Sequence, residues 1–209
     1  MFAIAKREFK SYFNTVTGSV YVAVNLLFLG IYFTVYHLTM GHPYIAYTVQ
    51  STLFIFLVIT PILTMRSMAE ERRQKTDQLL FTAPISPIKI VLGKYLAMLG
   101  VLLIPTLVLC LYPVFLSRFG KVPMAEAYVS ILGYVLFGAT CIAIGLFISS
   151  LTENLIIAAV GTFAVLLVCY LMSGLKQIVS STGNLLTKIM KIFDIMTPVS
   201  NLMEGVLNV

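Results

Sequence analysis

The side chains with the chemistry to act on something lie between Met65 and Lys94, in the run MRSMAEERRQKTDQLLFTAPISPIKIVLGK. It carries nine of the chain's charges: Arg66, Glu70, Glu71, Arg72, Arg73, Lys75, Asp77, Lys89 and Lys94. Their types and spacing exclude most catalysis. No G-x-x-x-x-G-K-[ST] loop is present: Gly93-Lys94 follows Ile88 rather than a spaced glycine and precedes Tyr95, so nothing here cradles a nucleotide phosphate. His37 and His42 have no carboxylate or cysteine beside them and are too few to hold a metal. Cys110, Cys141 and Cys169 fall singly inside apolar runs and read as small packing residues. No nucleophile stands at a spacing that pairs it with a base. The sequence therefore points to no catalytic residue, no metal and no cofactor. What remains is recognition. Glu70, Arg73 and Asp77 fall near one side of a helix, followed by Leu79, Leu80 and Phe81, which combine charge with an apolar grip. Such a surface suits the docking of a soluble partner; the plain alternative is a solvated loop helix.

The local signals in this run predict two helices with a break. Ser67-Met-Ala-Glu70 matches a capping box, S-x-x-E, and predicts a helix starting at about Met68. Glu70 and Glu71 then occupy its first turns, where carboxylates suit the helix dipole. Ala83-Pro84 ends it near Thr82, because a residue before proline disfavours the α region. Ser86-Pro87 reads as an N-cap followed by proline at the first helical position.

The rest of the chain must hold this element. The chain has 209 residues, 59% of them hydrophobic and 11% charged, and its mean hydropathy is +0.98. A soluble core of this size could not bury that much apolar surface, so the expected class is all-α, a polytopic transmembrane helical bundle forming one domain. Apolar runs of roughly 20 residues match a hydrocarbon core of about 30 Å. They predict spans at 19–37, 47–65, 96–116, 127–149 and 155–173. Asn25, alone and polar inside the first, is expected to face another helix where its amide finds a partner. Pro61, Pro105 and Pro113 predict bends. Gly133, Gly138, Ala139, Ala143 and Gly145 suggest close helix contacts along the fourth span. The short SSLTEN connection predicts an antiparallel fourth and fifth span. No acidic residue lies mid-span, so the usual relay of a proton-coupled carrier is absent.

Residues 1–13, MFAIAKREFKSYF, are amphipathic: Phe2, Ala5, Phe9 and Phe13 oppose Lys6, Arg7, Glu8 and Lys10, as in a helix lying along lipid headgroups. Residues 176–209 hold Lys176, Lys188, Lys191, Asp194 and Glu204, too many charges for a span, and read as amphipathic helices at the outer surface. The first span has no clear cleavage site and is expected to be retained. The net charge of +6 does not indicate nucleic acid, because the basic residues cluster at the ends of apolar runs. Lys6, Arg7, Lys10, Arg66, Arg72, Arg73, Lys75, Lys89 and Lys94 share one side if the N-terminus is cytoplasmic. Arg118 and Lys121 fall opposite, and the three late lysines weaken the bias without reversing it.

The charged run resembles the signature region of ABC-2-type permeases, the membrane subunits of ABC exporters. Their pattern is roughly M-R-x-x-A-E-E-R-x-x-G-T-x-x-L-L-x-x-P-[IV]-S, with G-K a few residues later. Here it reads Met65-Arg66, Ala69-Glu70-Glu71-Arg72, Thr76, Leu79-Leu80, Pro84-Ile85-Ser86 and Gly93-Lys94, with Lys75 where the family usually has glycine. KREFKSYFNTVTGSVYV is similar to the family's first helix and span. The likeness covers nearly the whole chain and is greatest to permeases of the gliding-motility and copper-maturation type. It implies an ABC-2 permease (type V exporter) fold in the cell membrane, and a coupling helix, here residues 67–82, seated in a groove of a separate cytoplasmic ATPase subunit. By the same resemblance Arg66, Glu70, Glu71, Arg72, Arg73, Thr76, Leu79, Leu80 and Pro84 are the ATPase-coupling residues. The other partners implied are a second permease protomer and membrane lipid. The family has six spans and five are visible here; FDIMTPVSNLMEGVLN is similar to the segment just before the sixth. A chain without a sixth span also admits a non-transporting scaffold or mechanotransmitter on the same fold.

Overall fold

The computed structural model describes residues 2–73 and 87–179, with side chains described as far as Met172. Among these residues there is no strand. The helices are α1 (Phe2–Asn14), α2 (Val16–Phe33), α3 (Ala46–Arg73), α4 (Pro87–Leu116), α5 (Met124–Leu151) and α6 (Leu155–Val179). A π-helical stretch, Thr34–Thr39, extends α2. Five of these elements, all but α1, are long and apolar enough to cross a membrane. The all-helical multi-pass architecture expected from composition is therefore present.

The bundle is built around α3, which packs against α5, α2 and α6. The apolar window of α3 is 61% buried, against 22% for that of α6. The first helix is thus the interior one, and the outer face of the second is left to lipid or protein. Tyr21, Phe56 and Tyr134 meet edge to face in the core, with ring centroids 6.5 and 4.8 Å apart. Asn25, fully buried, finds the partner expected of it: its Oδ1 accepts from the Tyr134 hydroxyl at 3.2 Å, and its Nδ2 donates to the Tyr21 carbonyl at 3.0 Å. The small residues of the fourth span divide between two roles. A Cβ on Gly138 would lie 2.7 Å from a Leu102 methyl, and one on Gly145 would strike Thr64, so both mark close helix approach. Ala143 instead faces outward.

His37, inside the π-helical turn, is buried between the His42 carbonyl, which meets Nδ1, and the Thr48 hydroxyl, 3.0 Å from Nε2. It ties the end of α2 to the start of α3. The SSLTEN connection is as tight as its length suggested: Asn154 Oδ1 accepts from the Ile156 N–H at 2.9 Å and caps α6, which runs back along α5.

The helix boundaries depart from the sequence expectation at the charged end. α3 does not stop near residue 65 for a new helix to start at Met68; it continues unbroken to Arg73. Ser67 is mid-helix and buried, so the S-x-x-E pattern caps nothing here. The physical reason is cooperativity. A helix already propagating through an apolar run adds residues at little cost, whereas a new one needs a nucleus. With 28 residues, α3 is roughly 42 Å long and exceeds a hydrocarbon core of about 30 Å, so its charged turns project from the span. From Pro87, α4 runs through residues 87–95 into the span as one helix of 30 residues. It and α3 also continue through Pro61, Pro105 and Pro113.

Candidate functional site

The charged turns of α3, the first turns of α4 and the middle of α1 converge. Lys94 stands at their centre, 1% exposed. Its Nζ donates to the Ser67 carbonyl at 2.7 Å and to Glu71 Oε1 at 2.6 Å, and lies 3.8 Å from Glu8 Oε2. A buried ammonium is tolerated only when paired and hydrogen-bonded, and here two carboxylates from two other helices serve it. The joint matters because α3 and α4 otherwise share little contact. These two helices border residues 74–86.

Close backbone approach makes this geometry possible. A Cβ on Gly93 would lie 2.9 Å from a methyl of Ile4, so glycine lets α1 seat directly on α4, next to the lysine. Farther along, a Cβ on Gly100 would lie 3.1 Å from the Phe9 ring. Tyr12, on the same helix, is buried with its hydroxyl beside Ser67. Burial pushes that phenol above the ordinary tyrosine range, and nearby Glu8, Glu71 and Glu70 add to the shift, so it stays a neutral hydroxyl. Ser149 of α5 holds the other side of α3. Its Oγ accepts from the Met68 and Ala69 N–H groups, both at 3.2 Å, and donates to the Met65 carbonyl at 3.3 Å. The turn from Met65 to Glu71 is thus pinned to α1, α4 and α5 at once. A cavity of about 380 Å³ opens beside it, lined in part by Arg7, Tyr12, Arg66, Glu70 and Lys94.

Of the residues expected to engage a partner, Arg66, Glu70, Glu71, Arg72 and Arg73 all fall on the last turns of α3. Arg66 pairs with Glu70 one turn on, at 3.6 Å and half-exposed. Glu71 points inward to Lys94, while Arg72 and Arg73 are exposed. Thr76, Leu79, Leu80 and Pro84 lie outside the described residues, as do residues 74–82 of the helix expected over 67–82 and the tail beyond 179. Sequence reasoning assigned Lys94 to the membrane-side charge bias and Glu8 to a headgroup-facing surface. The structure turns both inward, where they meet. The available signal was Gly93-Lys94 itself, a residue with no side chain followed by a cation at the start of a span. Tyr12 and Ser149 carried no comparable mark, whereas Gly145 stands among the small residues expected at helix contacts. Among the described residues no cluster of metal-binding side chains occurs.

The sequence profile of ABC-2 family transporter proteins matches residues 8–209. The chain belongs to the ABC-2 transporter family. No curated protein and no solved structure matches it. As an ABC-2 protein it is a membrane component of a transporter.

Proposed function

We propose that this ABC-2 protein is the permease subunit of an exporter of the gliding-motility and copper-maturation type. A separate cytoplasmic ATPase drives it, and it works as a pair of permease protomers in the cell membrane. The ATPase docks on residues 66–84: Arg66, Glu70, Glu71, Arg72 and Arg73 at the end of α3, with Thr76, Leu79, Leu80 and Pro84 beyond it. The N-terminus is cytoplasmic. Lys6, Arg7, Lys10, Arg66, Arg72, Arg73 and Lys89 gather at one end of the bundle, and positive residues favour the cytoplasmic side.

The observation that carries this reading is the Lys94 joint. Closure of two ATPase subunits on ATP would push the segment between α3 and α4. If its two flanks moved independently, the push would be absorbed locally. The bond from Lys94 to Glu71 and to the Ser67 carbonyl ties the flanks together, and Ser149 carries the displacement into α5. The outcome is a tilt of α3 and α4 as a unit, opening a path between protomers. In this scheme α1 is the brace that keeps the joint dry.

Affinity purification of the tagged chain from its own membranes tests the partnership. A stoichiometric soluble protein with a G-x-x-x-x-G-K-[ST] motif, whose ATP hydrolysis rises in the complex, is expected. Recovery of the chain with no ATPase would sink the proposal and favour the scaffold reading.

A further inference from the structure

A second feature lies on the outside of the bundle, away from the Lys94 joint. Between α4 and α5, just inside the charged end, runs a groove of about 330 Å³ walled by Met68, Leu92, Tyr95, Ala143, Leu146 and Phe147. From Ala143 to Ser150 it follows α5 for roughly 10 Å, most of the depth of one leaflet of a core about 30 Å thick. Its two hydroxyls are turned away from it. Tyr95 donates to the Ala139 carbonyl at 3.2 Å and Ser150 to the Phe147 carbonyl at 2.6 Å. The wall offers an occupant almost no polar atoms, and such a space does not hold ordered water. At the charged end two exposed cations follow the same helix faces outward: Arg72 one turn beyond Met68 on α3, and Lys89 one turn before Leu92 on α4.

We propose that this groove is a binding site for an anionic phospholipid of the leaflet at the charged end. One acyl chain lies along α4 and α5, and the phosphate is held by Lys89 and Arg72. An apolar trough that ends in two cations complements a lipid with a negative headgroup, not a neutral one. Each cation near such a surface contributes roughly a fivefold preference.

The chain contains no tryptophan, so one can be placed as a reporter. Phe147 is 64% exposed, so Phe147→Trp needs no room in the buried core. The full chain carrying it is reconstituted into phosphatidylcholine vesicles doped with brominated phosphatidylglycerol or, separately, with brominated phosphatidylcholine. Stronger quenching by the anionic lipid is expected, with its preference falling about fivefold on adding Lys89→Gln and staying unchanged on adding Arg118→Gln at the far end. Both are exposed positions, so neither change threatens folding. Equal quenching by the two lipids, unaltered by Lys89→Gln, would reduce the groove to ordinary boundary lipid and overturn the proposal. So would protection from both lipids, which would mean that residues 74–86 or a second copy cover it.

Discussion

Lys94 is 1% exposed and lies against carboxylates from two other helices. Its ammonium is out of water, and removing one partner of a buried pair is costly, on the order of 3 kcal/mol, because the other is left uncompensated. When Lys94 is lost the partly exposed Glu71 regains hydration, whereas loss of the Glu71 charge leaves the ammonium buried, so Glu71→Gln should cost at least as much as Lys94→Met. A thermal-unfolding series in detergent on Lys94→Met, Glu71→Gln and the double variant should give a coupling of about 1–3 kcal/mol; additive effects would show that the two do not act together. Asn25 and Tyr134 are a contrasting pair. Hydrogen bonds between membrane helices average only about 0.6 kcal/mol, so Tyr134→Phe should cost close to that, and far less than Lys94→Met. Asn25 was legible in the sequence because an amide alone in an apolar run must find a partner. Lys94 was not, because its partners sit on other helices and a lysine at the end of a span already has an explanation in membrane orientation.

At the scale of helices, contact between backbones governs the design. Gly145 lets α5 lie against Thr64 of α3, beside Ser149. Gly145→Leu should overpack this contact at a cost of roughly 1–3 kcal/mol and loosen the charged turn of α3. Hydrogen exchange of residues 65–73 measures that loosening; unaltered protection would rule it out. The seat of α1 on α4 can be locked instead. A Cβ at Gly93 would lie 3.2 Å from that of Ile4, close to disulfide geometry, so Ile4→Cys with Gly93→Cys should oxidise readily once the native cysteines are replaced. Failure to crosslink would contradict the seating of α1. Among the described residues the five apolar runs lie in helices long enough to cross a membrane, but α3 passes through Ser67, where the sequence suggested a new helix. Capping patterns report a helix start only where a helix starts, and the apolar run before Ser67 had already begun one. The passage of α3 through Ser67 follows from propagation and leaves no local mark.

Across the whole molecule, membrane insertion was legible because run length and charge placement are read by the bilayer directly. The order of packing was not. That α3 is central and α6 peripheral depends on shape complementarity, which hydropathy does not encode. The proposed orientation makes a simple prediction. A cysteine at Gly120, in the exposed turn after α4, should react with an impermeant maleimide from outside intact cells, and one at Lys6 should not. Reversed labelling would invert the topology and remove the docking surface from the cytoplasm.

In the proposed function the end of α3 and the segment after it receive the push of an ATPase. Charge reversal tests this most directly: Glu70→Lys with Arg73→Glu, against Lys121→Glu at the opposite end, each assayed for capture of the ATPase and for stimulation of its ATP hydrolysis. None of the three positions is a fully buried one, so folding should survive. The double reversal should lose both capture and stimulation while Lys121→Glu retains them. Capture and stimulation that are unchanged in the double reversal would contradict it.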